Sequence, residues 1–399
     1  MTKKRSYAYY KTAFANQPKP FAFVDLDFFD ENVLKVAARA GNKKIRVASK
    51  SIRCTALLRR ILEHSEQYQG IMCFSAAEAV WLSEQGFDDL LVAYPTLEPT
   101  ALQGVAQAVK KGHQIYLMTD KKEHLQAIEA VGKAAQVVLP VCLDLDVSSR
   151  YPGLHFGVHR SSIVDVESLE QYWQELQGLS FVSLQGLMGY EAQIAGVGDQ
   201  TKGKGLLNKV IQQLQKHSIQ QVRQKRAQAV QFLQEKMGKP LLFVNGGGTG
   251  SLESTREEEV VTEVTAGSAF FSPTLFDNYS KFQHLPAAAY AIEIVRQPQA
   301  HIYTCLGGGY VASGMLGQDK IPQPYLPEGC QLNPNETAGE VQTPIHYKGA
   351  ESLALGDPIF MRHSKAGELC ERFQELLVLQ NDKLLGAWPT YRGEGQCFL

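Results

Sequence analysis

The sequence has no excess of charge of either sign and no long hydrophobic run. Its 399 residues carry 40 Lys plus Arg against 41 Asp plus Glu, which gives a formal net charge of −1. A protein that binds nucleic acid usually carries a basic excess, so this balance argues against a nucleic-acid partner. No apolar segment is long enough to cross a bilayer, so we expect no membrane association.

The sequence also lacks paired cysteines. No CxxC motif occurs among its seven cysteines, which are Cys54, Cys73, Cys142, Cys305, Cys330, Cys370 and Cys397. An odd number at irregular spacing predicts reduced thiols rather than a disulfide framework or a zinc knuckle. The first 20 residues are basic but contain no continuous apolar segment, so they do not have the pattern of a secretory signal. We therefore expect a cytoplasmic protein.

Short apolar runs alternate with longer amphipathic stretches between about residues 20 and 275. The runs are IRVASK, GIMCFS, DLLVAYP, QIYLMT, VVLPVCLDLD, FVSLQGLMGY, LLFVNGG and VTEVTAGSAFF. This alternation is typical of parallel strands joined by crossover helices, and eight such units predict a (β/α)8 barrel. The Gln/Lys-rich residues 206–238 predict a solvated helix or helix pair on the outside of the barrel.

The pattern changes after about residue 285, where prolines become frequent. Pro322, Pro324, Pro327, Pro334, Pro344 and Pro358 block helices and central strands, so short strands and loops are expected there. We therefore predict an α/β protein with a (β/α)8 barrel domain over residues 18–280. Residues 281–399, with residues 1–17, are predicted to form a second, β-rich domain.

Lys50 is the first candidate for chemistry. The active site of a (β/α)8 barrel lies at the C-terminal ends of the strands, and Lys50 follows the apolar residues 45–48. Apolar surroundings there would destabilise its ammonium form and leave more free amine to attack a carbonyl. The alternative is a lysine that pairs with a neighbouring carboxylate or extends into water.

The second candidate is the segment FVNGGGTGS, residues 243–251. Its N–H groups, with the Thr249 hydroxyl, can surround a phosphate, because glycine lets the backbone approach an anion closely. The glycines are Gly246, Gly247, Gly248 and Gly250. A tight turn explains such a run about as well. An amine nucleophile and a phosphate cradle at one end of a barrel are together what pyridoxal phosphate requires.

The order of these segments resembles the fold-type III pyridoxal-phosphate enzymes. The likeness is to the D-threonine aldolase and D-serine dehydratase group, whose N-terminal domain is like that of alanine racemase. It is carried by PFAFVDLDFFDENV, VASKSIR, FSAAEA, DLLVAYP, GLMGYEAQIAG, VNGGGTGS, VTEVTAGSAFF and LGGGYVASG. The resemblance covers nearly the whole chain and implies pyridoxal phosphate as cofactor, a small amino acid as substrate and a homodimer.

The resemblance also implies roles for single residues. Lys50 looks like the lysine that forms the internal aldimine, and residues 246–250 look like the phosphate loop. Arg150 lies where this group places an arginine near the cofactor ring, and a guanidinium at the pyridine nitrogen would keep that nitrogen unprotonated. On the residues alone, a salt bridge from Arg150 to Asp144 or Asp146 is equally well supported.

Two further positions follow from the same likeness. Tyr190 matches a tyrosine of the cofactor site. Gln193 stands where a histidine is often found, so an acid–base role is lost there, because an amide does not titrate.

The chain departs from the group near its C-terminal end. Metal-dependent members hold a divalent ion with a histidine and, two residues later, a cysteine or aspartate, whereas this chain has His363 and then Lys365. An ammonium group cannot ligate a metal, although it can place a positive charge near the ion's position. Cys370 has the wrong spacing, so we expect no tightly bound divalent ion. The alternative for His363 is a structural hydrogen bond.

The leading hypothesis is a lyase acting on a D-β-hydroxy amino acid, with Lys50, Tyr190, His363 and Lys365 as catalytic residues. D-Threonine-type aldol cleavage and D-serine-type dehydration both remain open. The second hypothesis is an amino-acid racemase, which needs a second base on the opposite face of the cofactor, and Tyr310, Tyr325 and Tyr347 are candidates for it. The third is a pyridoxal-phosphate carrier without catalytic activity.

Overall fold

A computed structural model describes residues 4–314 and 317–398 and divides into two compact units. The first, called here the barrel unit, comprises Ala37–Lys50, Arg60–Gly267 and Phe398–Leu399. The second, called the β unit, comprises Met1–Val36, Ser51–Arg59 and Ser268–Cys397. These bounds differ from the predicted domains, because residues 18–36, 51–59 and 268–280 lie in the β unit.

The strands and helices are numbered here in chain order. The strands are β1 (Phe21–Asp25), β2 (Lys44–Ala48), β3 (Tyr68–Cys73), β4 (Leu90–Val92), β5 (Ile115–Thr119), β6 (Leu139–Asp144), β7 (Ser149–Tyr151), β8 (Leu154–Phe156), β9 (Val182–Gly189), β10 (Phe243–Gly246), β11 (Glu263–Ala266), β12 (Ala288–Gln299), β13 (Ile302–Leu306), β14 (Gln323–Leu326), β15 (Cys330–Leu332), β16 (Gln342–Tyr347), β17 (Pro358–Arg362), β18 (Glu375–Gln380) and β19 (Lys383–Pro389). The helices are α1 (Tyr7–Ala13), α2 (Leu26–Ala40), α3 (Thr55–Leu62), α4 (Ala76–Glu84), α5 (Pro99–Lys110), α6 (Lys122–Ala135), α7 (Val166–Gln177), α8 (Ala192–Ala195), α9 (Gly205–Met237), α10 (Leu252–Arg256) and α11 (Ser268–Phe271). Short 3₁₀ turns lie at Ser49–Ser51, Thr274–Asn278, Gln318–Lys320 and Leu369–Glu371.

The barrel unit is built on a closed barrel of parallel strands. Their order around the barrel is β2, β3, β4, β5, β6, β9, β10 and β11, and β11 pairs with β2 to close it. This confirms the predicted (β/α)8 barrel, and each predicted apolar run supplies one strand. Side chains from five neighbouring strands, β4, β5, β6, β9 and β10, form an apolar cluster of the barrel. They are Leu91, Tyr116, Met118, Cys142, Met188 and Phe243.

The strand register brings the lysine and the glycine-rich segment to one end of the barrel. Gly246 of β10 pairs with Val264 of β11, and Ala266 of β11 pairs with Val47 of β2. Neighbouring strands lie about 4.8 Å apart, so β2 and β10, with β11 between them, are separated by roughly 10 Å. The residues that follow β2 and β10 therefore emerge at the same edge, within the span of one small cofactor.

The Gln/Lys-rich segment forms one long helix, α9 (Gly205–Met237), rather than a helix pair. Its buried side chains recur every three or four residues and form a single stripe: Gln215, Ser218, Val222, Arg226, Ala229, Val230 and Leu233. The prediction of a simply solvated helix is therefore wrong in part, because the many Gln and Lys residues conceal a buried face that includes a fully buried arginine. Among the described residues, no helix is long and apolar enough to cross a membrane.

The β unit contains a nine-stranded sheet in the order β15, β16, β13, β12, β1, β18 and β19, with β14 and β17 joined at β12. This confirms the predicted β-rich second domain. Strand β1 pairs with β12 and β18 in this sheet, although its sequence was assigned to the barrel domain. An aromatic cluster packs on the sheet and includes side chains from helix α1: Tyr7, Tyr10, Phe14, Phe21, Phe23 and Phe360.

Candidate active site

Lys50 lies where strand β2 ends, on the 3₁₀ turn Ser49–Ser51. The buried Ser49 hydroxyl donates to the Met72 carbonyl of β3 at 3.0 Å, which fixes the turn to the barrel. The Lys50 side chain is exposed and hydrogen-bonds Tyr94. The expected apolar enclosure of this amine is therefore not present, and its neighbour is a polar, ionisable group.

Tyr94 follows strand β4 at the same end of the barrel, and 43% of its surface is exposed. Besides Lys50 it contacts Arg160, whose Cζ lies 4.8 Å from the centre of the tyrosine ring. Burial acts to raise the pKa of Tyr94, but the charges of Lys50 and Arg160 and the hydrogen bonds from both outweigh it and hold the pKa below its ordinary value. The phenol is therefore poised to release its proton more readily than a free tyrosine.

Arg160 is held in place by two acceptors of the barrel. Its Nε donates to Oδ2 of Asp144 at 2.6 Å, and its Nη2 donates to the Ala93 carbonyl. Burial raises the pKa of Asp144 to about 6, although Arg160 acts in the opposite direction. The other oxygen of Asp144, Oδ1, is buried and has no hydrogen-bond partner in the described part of the chain. The guanidinium therefore has a fixed position against the Tyr94 ring.

Tight packing and backbone conformation both require glycine in the turn after β10. Gly247 has φ +86°, a left-handed conformation that favours glycine. A Cβ on Gly248 would lie 2.9 Å from Cβ of Ala195 and 3.1 Å from Cε2 of Tyr190. Tyr190 therefore packs against the turn, as expected for a residue of the same site.

The carboxylate of Glu191 fixes this turn by accepting hydrogen bonds from it. One of its oxygens, Oε2, accepts from the Gly247 N–H at 3.1 Å, and the other accepts from the Ser251 hydroxyl at 2.9 Å and from the Thr255 hydroxyl. The Gly248 N–H donates to the Ser251 hydroxyl at 3.1 Å. Two of the N–H groups that were expected to surround a phosphate therefore donate within the protein, and their contact with a phosphate stays a prediction.

A buried arginine on α9 balances the charge of Glu191. Arg226 Nη2 lies 2.9 Å from Glu191 Oε2, and Nη1 lies 2.5 Å from Glu258 Oε1, with all three side chains almost completely buried. A Cβ on Gly246 would lie 2.8 Å from the same Nη2, so the arginine also touches the turn. The shape of the glycine turn is thus tied to helix α9 through one ionic cluster.

The chain is similar to known proteins in both sequence and fold. Residues 24–274 match the family described as alanine racemase, N-terminal domain. The chain belongs to this family. It is 21% identical to 3-hydroxy-D-aspartate aldolase of Paracoccus denitrificans (strain Pd 1222) over 254 residues, which cover 63% of this chain and 60% of that protein. The chain thus aligns with less than two thirds of that relative's length.

Solved structures related to this alanine racemase N-terminal domain protein extend the likeness beyond the barrel. D-Threonine aldolase from Filomicrobium marinum has a TM-score of 0.79 at 17% identity, covering 94% of this chain and 95% of that chain. D-threo-3-Hydroxyaspartate dehydratase from Delftia sp. HT23 has a TM-score of 0.73 at 17% identity, covering 95% and 98%. The resemblance to the fold-type III group is therefore confirmed at the level of family and fold, whereas reaction and substrate are properties of the site.

Two other residues were predicted for the cofactor site: Tyr190, which packs beside the glycine turn, and Gln193, which lies on helix α8. Burial, with the charges of Glu191 and Tyr94, raises the pKa of Tyr190 to about 12, so its hydroxyl is a hydrogen-bond donor at neutral pH. The buried Gln193 donates from Nε2 to the Val147 carbonyl at 2.9 Å. Its Oε1 is buried and has no partner among the described residues, so only this oxygen remains for a further donor.

Thr249 is buried in the turn, and its carbonyl accepts from Arg39 Nη2 at 2.6 Å. Arg39 in turn pairs with Glu253 at 2.5 Å, so the far side of the turn is fixed by a second ion pair. Gly250 is buried beside it. The Gly247 and Gly248 N–H groups donate to Glu191 and Ser251. Residues 249 and 250 are therefore the part of the turn that we consider for an anion.

Arg150 does not form the salt bridge to Asp144 or Asp146 that was its alternative interpretation. It is exposed on strand β7, and Asp144 pairs with Arg160 instead. Among the described residues, no ion pair joins Arg150 to Asp144 or Asp146. Its approach to a cofactor ring stays a prediction.

The sequence analysis did not find Arg160, because this residue follows the β7–β8 hairpin rather than an apolar run. Tyr94 directly follows a barrel strand, so the rule that functional residues follow these strands could have found it.

His363 and Lys365 belong to the β unit of this family member. His363 is fully buried, burial and Arg362 lower its pKa to about 3, and neither ring nitrogen has a hydrogen-bond partner in the described ranges. The alternative of a structural hydrogen bond therefore finds no support. Lys365 Nζ donates to the carbonyl and the hydroxyl of Ser313, at 3.0 Å each.

This pair of side chains does not fit a divalent ion, because the second member is a hydrogen-bond donor rather than a ligand. No cluster of three or more His, Cys, Asp or Glu side chains suited to a metal occurs in the described part of the chain. The expectation that no divalent ion is tightly bound stays a prediction and is tested below with a chelator.

Proposed function

We propose that this protein is a pyridoxal-phosphate-dependent lyase that acts on a D-β-hydroxy amino acid. The observation that carries the proposal is the position of Lys50 and the glycine turn at one end of the barrel, on strands separated only by β11. An exposed amine there can attack an aldehyde, and the backbone of a glycine-rich turn can approach an anion closely. The family match and the aldolase and dehydratase relatives support the same conclusion.

The residues at the barrel end fit the cofactor. Lys50 would hold its aldehyde carbon, and Thr249 and Gly250 would face its phosphate, with Tyr190 beside the turn. When bound, pyridoxal phosphate supplies an electron-withdrawing ring that stabilises negative charge on the substrate. The protein supplies the position of these groups in advance, because Glu191 and Arg226 hold the turn before any anion arrives.

We propose that Tyr94 exchanges a proton with Lys50. The two side chains are hydrogen-bonded, and Arg160 over the ring favours the phenolate. A phenolate can take a proton from the ammonium of Lys50 and leave a free amine, which can then act as a base toward the substrate. Arg160 is a positioning residue in this scheme, since it acts through Tyr94.

Replacing Tyr94 by phenylalanine is expected to lower kcat by about 100-fold or more, since a positioned acid–base group contributes at least that much. Tyr116→Phe is the matched control, because its hydroxyl contacts Gln114 before strand β5, at the other end of the barrel. In cofactor-free protein, pH titration of tyrosinate absorbance should show one tyrosine that ionises below the ordinary pH range. Lys50→Met should move that titration upward. An unchanged kcat in Tyr94→Phe would contradict the proton exchange.

The reaction itself is tested by a substrate screen. D-Threonine, D-serine, D-3-hydroxyaspartate and their L forms are incubated with the holoprotein, with and without a chelator. Glycine plus an aldehyde indicates aldol cleavage, whereas a keto acid plus ammonia indicates dehydration. We expect turnover of D forms that survives the chelator. Inversion with solvent deuterium at Cα would indicate the racemase instead, and a cofactor spectrum unchanged by every amino acid would favour the carrier.

A homodimer and a cytoplasmic location, both inferred from the sequence, are kept as part of the proposal. No experiment above depends on either of them.

A further inference from the structure

An open cavity of ≈ 640 Å³ lies at the C-terminal edge of β5 and β6, beside the β7–β8 hairpin. It is distinct from the glycine turn, which follows β10. Its lining includes the charged residues Lys121, Asp146, Arg150 and Arg160 and the histidines His155 and His159. None of the functional roles proposed above uses the histidines or Lys121.

Among the residues that line this cavity, cationic side chains outnumber carboxylates. Asp146 is the one carboxylate among the lining residues, and its Oδ1 already accepts from the Ser148 N–H at 2.7 Å. Arg160 is neutralised by Asp144, but Lys121 and Arg150 have no ion pair or side-chain hydrogen bond within residues 4–314 and 317–398. Cations placed side by side repel one another, so their gathering around one cavity favours an anion there.

The two histidines add further polar groups to the lining of the cavity. Their rings stack in parallel, with centroids 4.1 Å apart and planes inclined by 13°. His155 Nε2 is buried and has no hydrogen-bond partner among the described residues. Buried polar atoms are nearly always satisfied, so a bound group at this cavity would account for the vacant nitrogen.

We propose that this cavity binds the carboxylate of a small organic acid. A guanidinium presents a planar fork that matches a carboxylate, and Lys121 adds a second charge without a fixed direction. The cavity also adjoins the candidate active site, since Arg160 lines it and packs on Tyr94. The acid can therefore be the side chain of the substrate, which rests on the proposed function, or a separate molecule that regulates it.

Binding is tested with succinate as the probe, by calorimetric titration of the holoprotein. We expect saturable binding that Lys121→Met weakens by about tenfold, the loss typical of one charged hydrogen bond. Lys122→Met is the matched control, because this neighbour pairs with Glu175 at 2.8 Å. Equal affinity in the two variants, or no saturable binding, overturns the proposal. Arg150→Met should weaken binding similarly, and a shifted cofactor spectrum in that variant would assign Arg150 to the cofactor ring instead.

Steady-state kinetics distinguish a carboxylate of the substrate from that of a separate acid. If it belongs to the substrate, Lys121→Met raises KM for D-3-hydroxyaspartate and leaves KM for D-threonine unchanged. If it belongs to a separate acid, succinate changes the rate with D-threonine in the unmodified protein but not in Lys121→Met. Succinate binding without either effect in an active enzyme would be adventitious and would overturn the proposal. A protein without lyase activity would fail the proposed function, while the calorimetric comparison would still decide the cavity.

Discussion

Replacing Lys50 by alanine is expected to abolish covalent attachment of pyridoxal phosphate and to lower lyase activity by about 10³-fold or more. One amine would perform two tasks, since it holds the cofactor's aldehyde and, once released, can take a proton from the substrate. The single substitution removes both. Borohydride reduction followed by peptide mass mapping measures the first loss, and a steady-state assay with the best D-amino acid measures the second.

Lys44→Ala is the matched control for this experiment. Lys44 lies at the other end of the same strand and is exposed, and its Nζ donates to the Glu66 carbonyl at 2.7 Å. We expect it to retain cofactor and activity. A pyridoxyl group found on a lysine other than Lys50 would overturn the assignment of the active site.

The barrel, Lys50 and the glycine turn could be predicted because each has a local sequence pattern. An apolar run of four to six residues marks a parallel strand, and the end of that run marks the functional edge. Lys50, Tyr190 and the glycine turn all follow such runs, so their shared edge follows from topology alone. Tyr94 carries the same signature, but only the structure shows its contacts with Lys50 and Arg160.

The side chains that fix the glycine turn leave no such local pattern in the sequence, because each pairs with a residue that is distant along the chain. Arg226 is 35 residues from Glu191 and lies among glutamines and lysines that suggest a solvated surface. Its burial is visible only as one position in a helical stripe. Strand β1 illustrates the same limit: an apolar strand followed by a helix suggests a barrel unit, yet its partners β12 and β18 lie in the distant C-terminal sheet. Partner choice is a tertiary property that local pattern does not encode.

Replacing Arg226 by methionine is expected to destabilise the protein by about 3–5 kcal/mol, the usual loss when one partner of a buried ion pair is removed. Glu191 and Glu258 would be left buried without a counter-ion. Repulsion between the two carboxylates would also loosen Glu191, which holds the Gly247 N–H and the Ser251 hydroxyl. We therefore expect weaker retention of pyridoxal phosphate, measured by dialysis, together with a lower midpoint in urea unfolding followed by circular dichroism.

Two comparisons separate this mechanism from a general loss of packing. Arg223→Met changes an exposed residue of the same helix that donates to the Glu257 carbonyl, and its effect should stay within about 0.5 kcal/mol. Adding Glu258→Gln to Arg226→Met removes one uncompensated charge and should recover part of the lost stability, since contacting residues are energetically coupled. If the double variant is no more stable than Arg226→Met, the buried charges are not the cause, and the glycine turn does not depend on them.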